Sequence, residues 1–518
     1  MAQNEKVDVC IVGSGAAGGS LSLALAEAGL KVVVLEVGPW WNPLTDYIHN
    51  PLEMPGRFRW NMPVTQVGDR VGRAPHSSWG VGGGMNHWTA AVGRFEEEDF
   101  KQETLEGMGA DWPFAYADLV PYYEKAEAQL GVSGSTSGAT PGYVQGNPPN
   151  PPHELFYANQ LLKRGFDKLG IPSYSGSVAI NSRIYKGRPA CNYCGGCMMG
   201  CPIGAKANTA ITHFPQAIKL GVEVRPRSYA TQIRMDSRGR ARSVVYFDAQ
   251  GVEQEQEATL VVAAGWTIES PRLLLNSATS QFPDGLANSS GLVGRGLTCI
   301  LGGRIRGTYD EKVDGFRGFN LNNLESRHFY KTDSKRGYWG GWTFEASSTG
   351  HPLSYANQKG PLWGHDLVRH MATFRNNGAL SVWGRATVSL DNRVTIDDSV
   401  KDEYGIPAAK ITYRFSDNDH KLSQEARKRG EEAFEAAGAK DVWSDGPTRG
   451  SYWLGGLRMG SDPTESVTNG HGQTHDIPNL FVVGPMLIPG AVAIQPTLTI
   501  VALGNRIGEY IANNRQEF

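Results

Sequence analysis

The stretch Val7 to Glu36, VDVCIVGSGAAGGSLSLALAEAGLKVVVLE, constrains this chain more than any other. Val7, Val9, Ile11 and Val12 make a short apolar run of the kind that is buried on both faces of a parallel sheet. Gly13, Gly15 and Gly18 follow with the G-x-G-x-x-G spacing. The first allows a tight turn, the second lets a pyrophosphate approach the backbone, and the third lets a helix pack closely on the strand. A helix from about Ala16 to Glu27 would aim its free N–H groups at that phosphate, with Ser14, Ala16 and Ala17 around it. Glu36 closes the second strand, Lys31 to Leu35, where a carboxylate can accept hydrogen bonds from a ribose diol. A lone G-x-G-x-x-G is a weak signal because glycine-rich turns are common. The strand before it, the helix after it and the acid at the right remove supply the context of a dinucleotide site. The loop itself does not choose between FAD and NAD, although its place at the start of the chain favours FAD.

With 518 residues the chain has room for two to four domains. Hydrophobic residues make up 40%, charged residues 20%, and the formal net charge is −2, so the class is soluble globular with no electrostatic footprint for nucleic acid. No apolar run approaches the roughly 18 residues that cross a bilayer. The opening MAQNEKVD lacks the basic and apolar regions of a signal peptide, and the expectation from the sequence itself is cytoplasmic residence. Six cysteines are present, four of them within eleven residues. Such clustering argues against a disulfide framework and for a metal or redox centre in a reducing compartment.

Along the chain, Trp40 to Arg73 reads as irregular connection. Ser77 to Phe95, SSWGVGGGMNHWTAAVGRF, then places Gly82, Gly83 and Gly84 ahead of Met85, Asn86, His87 and Trp88, a second place where backbone can lie flat against a ligand. Asp118 to Leu130 has helical spacing, and Ser133 to Pro152 reads as an exposed loop. The segment Gly187 to Asn208 holds Cys191, Cys194, Cys197 and Cys201 in the pattern C-x2-C-x2-C-x3-C-P. That compact run suits the soft thiolate ligation of an iron–sulfur cluster. Tetrahedral zinc is the direct rival, and unmetallated thiols are the third reading.

Four short strands recur between Val222 and Ala264. The last runs through Ala263, Ala264 and Gly265 into a helical stretch, Trp266 to Ser277, and could lie against a nucleotide bound by the first loop. From about Gly302 to Lys440, alternating patterns such as GALSVWGRATVSL predict antiparallel sheet. Near the C-terminus NLFVVG reads as a buried strand, and PTLTIVALGNRIGEYI as a helix with Pro496 in its first turn, its N-terminus able to point at a polar flavin edge.

Together GSGAAG with Glu36, VGGGMNHWTAAVGRF, VVAAGWTIESPRLLL, LRMGSDPTESV and NLFVVG to PTLTIVALGNRI resemble the glucose–methanol–choline family of flavoprotein oxidoreductases over nearly the whole length. The cysteine-rich stretch is similar to that of the flavin subunits of bacterial glucose, fructose and gluconate dehydrogenases. The resemblance implies an α/β fold in which a Rossmann-like FAD-binding domain, residues 1–300 and 440–518 with the cysteine-rich insertion at about 181–208, is interrupted by a mixed α+β substrate domain on an antiparallel sheet, residues 301–439. It implies FAD, which takes two electrons from a sugar or other alcohol and passes them to an iron–sulfur cluster of three or four irons. Cys191, Cys197 and Cys201 match the relatives' three-iron ligands, and Cys194 is additional. It further implies that Asn86, His87, Trp88, Thr89, Ala264, Gly484, Gln495 and Thr497 surround the flavin. His87 matches the position that carries a covalent flavin link in pyranose oxidases, while other relatives with a similar triplet hold FAD without a bond. A cytochrome acceptor, a small signal-bearing subunit and hence periplasmic export are further implications.

The family's catalytic histidine, in an H-x-x-G-T segment before R-M-G, is Tyr452 here, and its second catalytic position falls on Gln495. A tyrosine with a reference pKa of about 10 is a poor base at neutral pH. One way to restore basicity is a nearby cation, for which Arg458 is the sequence neighbour. His471 and His475 are the nearest histidines, and the expectation is that they lie in a surface loop. Three functions stay open: an FAD-dependent alcohol dehydrogenase, a flavoprotein lyase or electron-transfer scaffold, and an inactive zinc-structured subunit.

Overall fold

The fold is that of a computed structural model, which describes residues 5–47, 50, 59–60, 62–70, 77–136, 146–444, 446 and 448–518. Residues 137–145 of the expected loop and much of the expected connection before residue 74 lie outside these.

Among the described residues, the first sheet has a parallel core in which strands Glu223–Arg225, Val32–Leu35, Val7–Val12, Glu253–Ala263 and Leu480–Val482 lie side by side. Two antiparallel neighbours, Ala241–Phe247 and Tyr229–Met235, extend it along the first half of the long strand Glu253–Ala263. Strand order reverses between Val7–Val12 and Glu253–Ala263, and a crevice at the carboxyl ends of two such strands is where open α/β sheets bind ligands. The helix Ala16–Glu27 is buried from Ala17 to Ala26. It lies between sheet and C-terminal helix Thr497–Asn513, and small residues set the approach: a Cβ on Gly504 would stand 2.0 Å from Ser20 Oγ, and one on Gly508 2.7 Å from Ala24 Cβ. Pro496 caps this C-terminal helix instead of sitting in its first turn.

The second sheet is antiparallel, in the order Leu321–Ser326, Trp342–Ser347, Asn377–Arg385, Thr298–Thr308, Asp441–Ser444, with Arg449–Leu454 also paired to Thr298–Gly302. It therefore draws on residues on both sides of 301–439. Its strands carry a separate apolar core with the helix Asp417–Ala436, whose Leu422, Ala426, Ala433 and Phe434 are fully buried. A capping box at Ser416 and Asp419 starts that helix. Among the described residues no helix is long and apolar enough to cross a membrane.

Candidate active site and cysteine pocket

The crevice at the carboxyl edge of the first sheet is a cleft with a cavity volume of about 320 Å³. Gly13 turns at φ +104°, and a Cβ there would meet Ala264 O at 2.5 Å, so the two strand ends close on each other only through glycine. A Cβ on Gly18 would stand 1.9 Å from Gly13 O, which keeps helix against strand. Gly13, Ser14, Gly15, Ala16 and Ala17 line the cleft, as do Ala264 and Thr497. The second glycine stretch contributes Gly83, Gly84 and Trp88, and a Cβ on Gly83 would stand 2.8 Å from Gly15 Cα. No acidic residue occupies the first turn of Ala16–Glu27, so the helix N-terminus is free to receive an anion.

Glu36 lines the cleft, yet its acceptor positions are already filled. Ser14 N (3.1 Å) and Ser14 Oγ (2.6 Å) donate to Oε2, while Gly38 N (2.9 Å) and Gly80 N (3.1 Å) donate to Oε1. A carboxylate offers about four lone-pair sites, so a ribose diol would have to take the place of one of these donors. Burial raises the Glu36 pKa, and these four bonds oppose it.

Gly82, Asn86, His87, Thr89, Gly484 and Gln495 are not among the cleft-lining residues. Gly82 N donates to Ser14 Oγ, and Asn86 accepts from Tyr47 and Asn208, so both brace the loop. His87 Nε2 is 2.7 Å from Ser78 Oγ. Thr89 hydrogen-bonds the Tyr452 phenol. Gly484 precedes Pro485, which does line the cleft. His471 stacks on Tyr510 with ring centroids 3.9 Å apart, and His475 bonds Ser466, both away from the cleft.

Tyr452 reaches the cleft from the second sheet by way of a β-bulge. Trp453 pairs with Cys299 and Ser451 with Ile300, so Tyr452 is the extra residue between them, and it adopts φ +51°. A bulge re-aims a side chain at a cost in backbone strain. The phenol is pushed up from its ordinary pKa by burial first and by Glu345 next. The suggestion that Arg458 lowers it is corrected: Arg458 is bonded to the Glu465 carbonyl, and the cation that acts on the phenol is Arg304, whose effect burial outweighs. The phenol is thus a hydrogen-bonding group and not a base.

Glu345, on strand Trp342–Ser347, is the residue that sequence reasoning missed. It is 1% exposed, and its Oε2 accepts from Gln495 Nε2 (2.9 Å) and Trp383 Nε1 (2.8 Å). Trp383 in turn packs edge-on against Tyr452, with centroids 5.4 Å apart. An acid inside a strand flanked by Phe344 and Ala346 gives no periodic signal. Arg272 and Glu269, both lining the cleft, lie in the helical stretch Trp266 to Ser277 and were not singled out by sequence; Arg272 is buried and paired with Glu269 (3.1 Å) and Asp402 (2.8 Å).

The four cysteines line one small cavity of about 20 Å³. Cys197 is buried, Cys191 and Cys201 half-buried, and Cys194 exposed. Tyr193 N approaches Cys191 Sγ (3.3 Å) and Lys206 N approaches Cys201 Sγ (3.4 Å), as donors to sulfur. Burial, with the other cysteines adding to it, pushes the Cys191 thiol up to about 12, and burial pushes Cys197 up to about 11. Among the described residues no set of three or more His, Cys, Asp or Glu side chains is arranged to hold a metal ion. The cavity adjoins the cleft wall. Trp88 Nε1 donates to Ala207 O (2.9 Å), and the buried Lys206 ammonium donates to Asn86 O (3.1 Å), Trp88 O (3.0 Å) and Cys197 O (2.6 Å).

Residues 81–299 and 389–504 match the GMC oxidoreductase family models, and residues 8–41 match the FAD binding domain. The chain belongs to the GMC oxidoreductase family. It is 32% identical to the 2-methyl-1,2-propanediol dehydrogenase of Mycolicibacterium austroafricanum, covering 98% of this chain and 95% of that protein. It is 28% identical to the fructose dehydrogenase large subunit of Gluconobacter japonicus, with 98% of each chain covered. Among solved structures, formate oxidase from Aspergillus oryzae superposes on this GMC chain with a TM-score of 0.70, at 14% identity and over 100% of both chains. FAD is accordingly the dinucleotide of the cleft.

Proposed function

We propose that this protein is an FAD-dependent dehydrogenase that oxidises a C–OH group of a sugar, glycoside or other small alcohol and passes the electrons through an iron–sulfur cluster to an external acceptor. The observation that carries the reading is the meeting, at one cleft, of the nucleotide loop with Tyr452 and, through Trp88 and Lys206, with the cysteine cavity. When bound, FAD supplies the two-electron acceptor, and a cluster supplies one-electron steps outward. Cys191, Cys197 and Cys201 would hold that cluster, with the exposed Cys194 available as a fourth ligand. Backbone donors to Cys191 and Cys201 suit a cluster, whose potential depends on hydrogen bonds to sulfur. The names of the relatives, a diol dehydrogenase and a fructose dehydrogenase, support this substrate class.

The test is anaerobic mixing of the purified yellow protein with 2-methyl-1,2-propanediol, D-fructose and methyl glycosides while flavin absorbance is followed. Bleaching by at least one of them is expected. A flavin that all of them leave oxidised overturns the reading. Iron and acid-labile sulfide assayed on protein prepared without oxygen decide the cluster, and stoichiometric zinc without sulfide overturns that part.

A further inference from the structure

The second sheet carries a buried polar row beside Tyr452, a residue it sends into the cleft. In register across four strands stand Glu325, Glu345, Ser381 and Arg304. Directly opposed residues of an antiparallel pair share a face, with Cβ atoms about 5 Å apart, so Glu325 and Glu345 are carboxyl neighbours. They are furnished unequally. Glu325 takes Arg327 Nε (2.5 Å), Tyr174 OH (3.1 Å) and Asn322 Nδ2 (3.1 Å). Among the described residues Glu345 takes the neutral donors of Gln495 and Trp383 alone. Glu345 therefore has a carboxylate neighbour and no cation in direct contact, which disfavours its own charged form. Burial, with Glu325 beside it, holds Glu345 well above the usual carboxylate range.

Two buried polar atoms flanking Glu345, Gln495 Oε1 and Ser381 Oγ, have no hydrogen-bond partner among the described residues. An unsatisfied buried acceptor or hydroxyl is costly and calls for a ligand group. A substrate bearing hydroxyls supplies what both lack.

We propose that Glu345 is the proton acceptor of alcohol oxidation in this protein, in the place of the family's histidine, with Gln495 Oε1 and Ser381 Oγ holding the substrate's hydroxyl groups beside it. This rests on the proposed dehydrogenase reading. In the step, taken by the deprotonated form of Glu345, the substrate O–H bond breaks and its proton goes to that carboxylate. The carbinol C–H bond breaks with its electron pair, the hydride leaves to the oxidised flavin, and the C–O bond becomes C=O. The alcohol is oxidised by two electrons and the flavin is reduced by two. The charged and titratable groups that bear on Glu345 are Glu325 and Arg327 from the adjacent edge strand and Tyr452 from the bulge, with Arg304 at the end of the row.

The test uses Glu345→Gln in the FAD-loaded full chain, which keeps the shape and an acceptor for Trp383 and Gln495. Flavin content and far-UV circular dichroism equal to wild type show that it folds. Anaerobic stopped-flow with the panel alcohol that bleaches wild type fastest is expected to give a reduction rate lowered on the order of 100-fold or more. The wild-type rate is expected to rise with pH through one ionisation, and Glu345→Gln to lose that rise. Glu345→Asp is expected to recover part of the rate and the pH dependence. A Glu345→Gln rate within about threefold of wild type, or an unchanged pH profile, overturns the proposal. A wild type bleached by none of the panel overturns the functional reading and the role with it. Independently of turnover, infrared difference spectra from about pH 5 to about pH 9 are expected to show a protonated carboxyl band that Glu345→Gln lacks. Absence of that band overturns the proposal.

Discussion

The nucleotide end and the catalytic end of the cleft are built by opposite means. At the nucleotide end one continuous segment, Val7 to Glu36, makes strand, turn, helix and strand, and its closest contacts are within itself, such as Gly18 against Gly13 O. At the other end Tyr452 enters the cleft from a bulge, with Gln495, Glu345 and Trp383 behind it from a helix entrance and two strands, and each is held by a residue distant in sequence. The first kind of site is written in spacing. The second is written in tertiary packing, and a substitution there moves chemistry or charge balance before it moves the fold.

The largest expected effect breaks the nucleotide end. Gly18→Ala sets a Cβ against the Gly13 carbonyl at 1.9 Å, and neither the buried helix nor the strand can retreat. Overpacking of this kind costs about 3 kcal/mol or more, and flavin-loaded protein is expected to be nearly absent. A Gly18→Ala protein with full flavin content and an unchanged melting temperature would show that the turn is not the rigid part of the site.

That asymmetry is also why one end was legible and the other was not. The glycine spacing, the acid at Glu36 and the cysteine run lie within single windows, so the parallel sheet, the cleft and the shared cavity of the four cysteines follow from local pattern. Gln495 and Tyr452 were found through family motifs, and the correct neighbour of each was not. Arg458 is near Tyr452 in sequence, yet Arg304 is the cation in reach, because strand Thr298–Thr308 pairs with Arg449–Leu454. Glu345 lies inside an apolar strand and gains its meaning only from Glu325 across the register. The Glu36 role shifted for a similar reason: Gly80, 44 positions away, fills one of its acceptor sites.

A charged seam lies behind Glu345, and it sharpens the contrast. Arg327 bonds both Glu325 (2.5 Å) and Glu96 (2.6 Å), with all three side chains under 5% exposed. Arg327→Met leaves two buried carboxylates without their cation, a loss of about 3–5 kcal/mol. Urea unfolding of the holoprotein is expected to show it, whereas a loss under about 1 kcal/mol would mean that the seam is solvated.

Asp99 belongs to the same seam. Burial raises it to about 7, against the Arg385 charge and the bonds from Tyr330 and Glu96 N, and its Oδ1 has no partner among the described residues. The folded protein therefore holds a proton that the unfolded chain has released above about pH 4. The unfolded state binds fewer protons across this window, so stability from this group is full below about pH 4 and falls as pH rises through 7. The fall is on the order of 2–4 kcal/mol. Asp99→Asn should be insensitive over that window, and the difference between the two pH–stability curves is the measurement. Parallel curves would remove Asp99 as the titrating group.

The smallest expected effect is at Tyr452, the residue that the family resemblance singles out. Its phenol is driven above its ordinary range by burial and by Glu345, and Thr89 and Arg304 fall short of reversing this. A phenol that keeps its proton can orient a substrate hydroxyl by hydrogen bonding, a contribution that is similar in ground and transition states. Tyr452→Phe also keeps the ring that packs on Trp383, so the bulge and the position of Glu345 should survive. At subsaturating concentrations of the best panel alcohol, flavin reduction is expected to slow by about fivefold, near 1 kcal/mol, with the saturating rate and the pH profile retained. The apparent dissociation constant should rise by a similar factor. A slowing on the order of 100-fold with loss of the pH dependence would move the proton acceptor from Glu345 to the phenol. It would also mean that the bulge strains Tyr452 into place for proton transfer, and the two ends of the cleft would then share one logic, in which a sequence motif marks the chemical group itself.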